Sequence, residues 1–293
     1  MENIRSSFPR SRCAPAFIGG SLPILFAAIA SVSAQASEPF LIVSDIDDTV
    51  KLTHVEKAVR AGANGVFAND TFLGMATLYQ EMAKAGLPSS SKAKQGTVTY
   101  LSASPRALRG KLRRNLVKWA GFPDGEIILR DYFTQHDIPK YKLEALAKLA
   151  NQESRPFILV GDDTEHDPEL FLEFSGSQSA SKTTAIYIRR NNHRVLPEGV
   201  TPFFTPLEVG MAEVESGRLS VEALVRVGES MLSELKKDRE DALEVLFPSF
   251  SYCPEKEYRR LPIGPVASTN GRLVSVIQKV AKEVVRYCYE RSL

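Results

Sequence analysis

The sequence predicts an α/β fold, an open and mostly parallel sheet with helices on both faces. Five apolar, β-prone runs lie near 40–45, 97–102, 126–130, 156–161 and 184–189, and helical patterns separate most of them. Acids or a hydroxyl follow three of the runs where each strand should end. In such sheets ligands gather at the carboxyl ends of the strands.

Ahead of the first run, Arg5, Arg10 and Arg12 form a basic start and AFIGGSLPILFAAIA an apolar core. Ala34-Gln35-Ala36 then supplies small residues at a cleavage position. Gly19, Gly20, Ser21 and Pro23 interrupt the segment, and its core is short for a membrane anchor. The expectation is a cleaved signal over 1–36 and a secreted or periplasmic product. Its loss removes three Arg and one Glu, leaving a chain without net charge. That argues against bulk nucleic-acid binding. No other segment is long and apolar enough to span a membrane, and the remainder suffices for one large α/β domain.

In the first run Phe40, Leu41, Ile42 and Val43 show no polar alternation, so the strand reads as buried. It ends in Asp45, Ile46, Asp47, Asp48, Thr49. Asp at a strand end is often only a turn former. Two carboxylates two residues apart can instead point into one site, their repulsion offset by a divalent cation. A carboxylate beside Mg²⁺ stays ionised and can attack phosphorus, and its neighbour can carry the proton. Asp48 faces solvent under simple alternation and reads as a turn residue. Residues 52–95 separate the first two strands and hold AGANGVFAND, the helical pattern GMATLYQEMAKAG and the return SSSKAKQG. They read as a crossover with a surface loop or as an insertion over the site.

The second run, VTYLSASP, ends in the hydroxyl of Ser102. Ser104-Pro105 makes a good N-cap and N1 pair for the basic helix PRALRGKLRRNLVKWAG. Leu108, Leu112, Leu116 and Trp119 supply its apolar stripe, and most of its arginines read as a solvated face. Arg106, near the helix start, could reach a charged head group, with anionic lipid a lesser option. Lys142 and Lys140 compete within IPKYKLEALAKLA. A third run, FILVGDDTEHDPELF, ends in Asp162 and Asp163 with Asp167 behind. Asp167-Pro168-Glu169 carries helix-start signals, so Asp167 reads mainly as a cap that could also orient a metal-bound water. His166 reads as a loop histidine, and His54, His136 and His193 lack metal-ligand spacing.

After Arg190 helical spacing covers 206–217, 219–237 and 271–290, with LFPSFSYCP irregular between them. Cys288 extends the stripe of Leu273, Ile277, Val280 and Val284. Cys253 and Cys288 read equally as a disulfide, which export permits, or as two buried thiols.

An acid pair, a serine, a lysine and a second acid cluster thus occur in one order. Together DIDDTVK, GMATLYQEMA, TYLSASP, GFPDGEIILR, KLEALAKL, GDDTEHDPELF and AIYIRR resemble the haloacid dehalogenase (HAD) phosphohydrolase superfamily. The closer resemblance is to the phosphatidate phosphatase catalytic-domain family, over roughly 40–190 and weakly to about 255. It implies a HAD-like Rossmannoid catalytic domain over 37–205, with 52–95 as a small cap that lets a large substrate approach. Residues 206–293 then form a helical extension packed on the core. Asp45 is implied as the nucleophile, Asp47 as the acid and base, and Thr49 as a support. Ser102 would hydrogen-bond a phosphate oxygen. Lys142, favoured over Lys140, would neutralise the nucleophile and the phosphate. Mg²⁺ would be held by Asp45, the Asp47 carbonyl, Asp162 and Asp163, with Asp167 in support; Arg106 would support the site by reaching a charged head group. The implied reaction hydrolyses a phosphate monoester, phosphatidate at a membrane surface giving diacylglycerol and phosphate. A soluble monoester (a sugar phosphate or nucleotide) is the alternative. A non-catalytic adaptor keeping the site only for metal is a further one.

Overall fold

The computed structural model describes residues 38–52, 71–87, 97–177 and 182–293. The segment expected to be cleaved, and 53–70 and 88–96 of the insertion, lie outside them. Six strands form one parallel sheet: β1 (Leu41–Ser44), β2 (Val98–Pro105), β3 (Glu126–Arg130), β4 (Phe157–Asp162), β5 (Thr183–Arg189) and β6 (Thr201–Phe203). Their order is β3-β2-β1-β4-β5-β6. The first five are the expected strands. β6 escapes sequence reading because it is three residues long and contains Pro202, whose missing donor an edge strand tolerates.

The chain builds β2 and β3 to one side of β1, then returns to β4 on the other. The carboxyl ends of β1 and β4 therefore flank the crevice where strand order reverses, the usual ligand position in such sheets. Register brings the two ends level. Ser44 pairs with Val160, and the Asp45 amide donates to the Val160 carbonyl at 2.8 Å.

Alternation along the strands fills two apolar layers. Ile42, Val98, Tyr100, Ile158 and Val160 face one, and Leu41, Val43, Leu101, Phe157 and Leu159 the other. Both faces are buried, which is why the runs lack polar alternation. The first layer meets α1 (Met75–Ala85) and a composite helix. The latter comprises a 3₁₀ turn Arg106–Leu108, an α-helical segment α2 (Arg109–Arg113) and a π-helical segment Arg114–Trp119. The second layer meets α3 (Ile138–Gln152) and α4 (Asp167–Gly176). The first layer continues into α5 (Pro206–Glu215), α6 (Val221–Lys237), α7 (Arg239–Leu246), the short α8 (Glu255–Tyr258) and α9 (Pro265–Ser268), and α10 (Gly271–Arg291). The described part of 206–293 thus shares one apolar interior with the sheet. Leu273, Ile277, Val280 and Val284 of α10 are buried there. Each such side chain contributes about 1.5–3 kcal/mol by leaving water, enough to seat the helix.

Of the two readings of 52–95, the described helical pattern fits the crossover: it is α1, packed in the first layer through Leu78, Tyr79 and Met82. Three expectations change. Ser104 does not cap a helix, because β2 runs through it to Pro105. Trp119 leaves the apolar stripe and is exposed, because the helix widens to a π-helix before it and rotates the last turn. Asp48 is buried rather than solvent-facing, in a turn with φ 54°. Of the two cysteine readings the structure takes the disulfide. Cys253 and Cys288, with Cα atoms 5.5 Å apart, tie the irregular segment before α8 to α10.

Candidate active site

The loop after β1 is wound tightly. The amides of Val50 and Lys51 both donate to the Ile46 carbonyl, and the Asp48 amide donates to the Lys51 carbonyl at 2.8 Å. This turn needs a left-handed residue at Asp48, a conformation that aspartate tolerates better than most residues. Two residues from the end of β5 hold the turn from behind. Arg189 Nε donates to the Thr49 carbonyl at 3.1 Å and Asn191 Nδ2 to the Asp48 carbonyl at 2.8 Å. Arg189 is buried against the Phe72 ring, 3.7 Å from its centroid. Sequence reasoning missed both residues; the only trace was a charged end on the run AIYIRR.

Asp45, Asp162 and Asp167 converge, each offering a carboxylate oxygen within 4.8 Å of the others. Lys142 Nζ, reaching in from α3, donates to Asp45 Oδ1 at 2.8 Å and Asp167 Oδ1 at 2.6 Å. Its reach is set by the start of α3, where Asp137 accepts the Lys140 amide as N-cap. Lys140 itself is exposed, so of the two lysines Lys142 enters the cluster. The Thr49 hydroxyl donates to Asp162 Oδ2 at 2.9 Å and lies 3.4 Å from Asp45 Oδ2. The Thr164 amide and hydroxyl both donate to Asp162 Oδ1.

Asp47 stands apart. Its Oδ2 accepts from the hydroxyls of Ser102 at 2.9 Å and Ser104 at 3.0 Å, both at the end of β2. Ser104 therefore belongs to the site, a role the capping motif had hidden. The Tyr141 hydroxyl donates to the Ser102 carbonyl at 3.3 Å and fixes this strand end against α3.

The second acid cluster divides differently from the sequence expectation. Asp163 does not join. Its Oδ1 accepts the amides of Asn191 at 2.7 Å and Asn192 at 2.9 Å, and its Oδ2 accepts from Arg190 Nε at 3.2 Å. It follows Asp162 directly, so it points to the opposite side and braces the loop after β5. Asp167 takes the inward place. It caps nothing, since α4 starts behind His166 without a side-chain cap. Gly161 makes room for it, because a Cβ there would lie 2.5 Å from Asp167 Oδ2. Arg106 lies off the cluster, donating to the Leu129 carbonyl at 3.3 Å with Asp131 3.7 Å away. His166 is exposed beside the cluster.

Burial raises the Asp45 carboxyl well above the usual range. Lys142 opposes this, and Asp167, Asp162 and Asp47 add to it. Burial and the Asp167 charge push Asp162 up to about 8. Burial works against the Lys142 ammonium too, but Asp167 and Asp45 outweigh it and hold the charge on. Two carboxyls thus share one ammonium, while among the described residues Asp162 accepts from hydroxyls and an amide alone. Such a site needs shared protons or a further cation. Asp167 Oδ2 is buried without a hydrogen-bond partner among the described residues. Together with Asp45 and Asp162 it forms an all-oxygen donor set, which suits a hard divalent ion such as Mg²⁺.

Comparison with known proteins places the chain in a family. The family model for the catalytic domain of phosphatidate phosphatase APP1 matches residues 40–190. Phosphatidate phosphatase APP1 of Saccharomyces cerevisiae is 30% identical over 159 residues, 50% of this chain and 25% of that protein. The match thus spans a quarter of the relative's length. Among solved structures, a putative dihydrodipicolinate synthase family protein from Coccidioides immitis aligns over 85% of this chain and 89% of its own. Its 12% identity and TM-score of 0.23 carry no argument.

Proposed function

We propose, on the premise that this chain belongs to the phosphatidate phosphatase APP1 catalytic-domain family, that it is a Mg²⁺-dependent phosphomonoesterase working through an aspartyl-phosphate. The observation that carries the reading is the division of labour between Asp45 and Asp47. Asp45 is buried and fixed by Lys142, as a nucleophile must be. Asp47 is free of the ammonium and bonded to two hydroxyls, through which protons can pass.

Asp45 attacks phosphorus, the P–O bond to the alcohol breaks, and Asp47 protonates the departing oxygen. Asp47 then takes a proton from water as it attacks the aspartyl-phosphate, releasing phosphate and restoring Asp45. Ser102 hydrogen-bonds a phosphate oxygen, and Lys142 offsets charge on nucleophile and phosphate together. Thr49 keeps Asp45 and Asp162 oriented. Asp45, Asp162, Asp167 and the Asp47 carbonyl would hold Mg²⁺, whose charge would let a phosphate dianion enter a site built from carboxylates.

The family points to phosphatidate as substrate, with diacylglycerol and phosphate as products. Release of phosphate from a panel of lipid and soluble monoesters tests both parts. Activity should vanish in excess chelator and return with Mg²⁺, and phosphatidate should lead the panel. Full activity in chelator would remove the metal from the mechanism, and preference for a sugar phosphate or nucleotide would replace the substrate. Export belongs to the same proposal. The Cys253–Cys288 disulfide suits an oxidising compartment. A mature N-terminus at Ser37 in a secreting host is the expected mark, and retention of Met1 on a membrane-bound product would reverse it.

A further inference from the structure

The loop that follows β3 presents two aromatic rings to solvent. Phe133 is 84% exposed and Tyr132 56%. The loop holds its shape through its own hydrogen bonds. Asp131 Oδ1 accepts the Phe133 amide at 3.1 Å, and Gln135 Oε1 accepts the Asp131 amide at 2.8 Å. Arg130 lies over the Tyr132 ring at 5.3 Å and donates to the carbonyls of Ala103 and Gln135. The rings meet edge to face, 5.9 Å between centroids. An ordered turn therefore keeps a phenylalanine in water, where most phenylalanines are not found.

Position and charge narrow what this turn meets. Leu129 pairs with Ser102 and Arg130 with Pro105, so the loop leaves the sheet at the substrate end, next to the strand that carries Ser102. The neighbouring composite helix starts at the same end. It carries Arg106, Arg109, Lys111, Arg113, Arg114 and Lys118 with no acidic residue, in a chain whose total charge is only +2. Arg106 and Arg109, nearest the loop, are exposed. Aromatic rings beside exposed arginines on one rigid edge match a lipid surface, apolar below the headgroups and negative above them. We propose that Tyr132 and Phe133 insert into an anionic bilayer surface, with Arg109 against the headgroups. This deepens the phosphatase reading, because it would set the site at the depth of a lipid phosphate.

The test needs no catalysis. The mature protein, beginning at Ser37, is sedimented with phosphatidylcholine vesicles, with and without phosphatidylglycerol, neither of which is a phosphate monoester. Binding should be strong only with the anionic lipid. Replacing both rings (Tyr132→Ser with Phe133→Ser) should weaken it about tenfold or more, since each ring gives up buried apolar area. Arg109→Gln should weaken it about fivefold at low salt, and the difference should close at high salt. Circular dichroism and melting temperature should match the parent, because none of these side chains is in the core. Undiminished binding by the ring variant overturns the proposal. So does absence of binding to either vesicle, which would assign the rings to a protein partner. Asp45→Asn, inactive under the reading above, should bind vesicles as the parent does, so the two proposals fail separately.

Discussion

The loops after β1 and β4 look alike in sequence and are used differently. VSDIDDT and VGDDTEHD each end an apolar strand in several acids. After β1 the second acid, Asp47, lies two residues on and stays at the site, bonded to Ser102 and Ser104. After β4 the second acid, Asp163, lies one residue on and turns away to the amides of Asn191 and Asn192. The inward partner comes from Asp167, on the first turn of α4. Side-chain direction alternates along extended backbone, so spacing decides whether a carboxylate is chemical or structural.

The largest break in this comparison is Asp45→Asn. An amide is a poor nucleophile, and phosphate release should fall by about a thousandfold or more with the melting temperature nearly unchanged. Near-parental turnover would move the nucleophile elsewhere.

Asp162→Ala should raise the Mg²⁺ requirement by about a hundredfold or remove activity, by analogy with the loss of a metal-orienting group. The same carboxyl sets a pH dependence. Its folded value, about 8, lies above the ordinary 3.8. The metal-free fold is therefore favoured in full only below about pH 3.8, and loses that stability progressively as pH rises from there through about 8. Mg²⁺ binding should tighten over the same rise, because protons compete for the oxygens. A Mg²⁺ titration across this range, read by melting temperature, checks both, and a flat result would put the metal away from Asp162.

Gly161→Ala sharpens the contrast from the backbone side. The new methyl would press on Asp167 Oδ2 and on Phe171, 2.8 Å away. Activity should fall about tenfold or more, since displaced catalytic geometry of this size is costly. Unchanged kinetics would mean Asp167 has no part in the site.

Asp163→Ala should have the smallest catalytic effect. It leaves two amides and Arg190 Nε without their acceptor, at a cost of about 1–3 kcal/mol. A lower melting temperature with the Mg²⁺ requirement unchanged is expected. A raised Mg²⁺ requirement would return Asp163 to the metal.

The sequence by itself determined what depends on near neighbours. Five strands were legible because each carries a short apolar, β-prone stretch that the sheet buries. The stripe of α10 was legible because Leu273, Ile277, Val280 and Val284 repeat at helical spacing. Asp45, Asp47, Ser102, Lys142 and Asp162 could be placed at strand ends or a helix start, although their roles came from resemblance rather than spacing. Only the tertiary structure decided the rest. Asp163 and Asp167 exchanged places because their directions depend on where β5 and α3 bring Asn191 and Lys142. Ser104, which reads locally as a cap, entered the site because β2 runs three residues past Ser102, to Pro105. The disulfide was undetermined until packing set the distance between Cys253 and Cys288. Periodicity records which way a side chain leaves its own backbone. What it meets is set by parallel pairing between strands far apart in the chain, and no local pattern encodes that register.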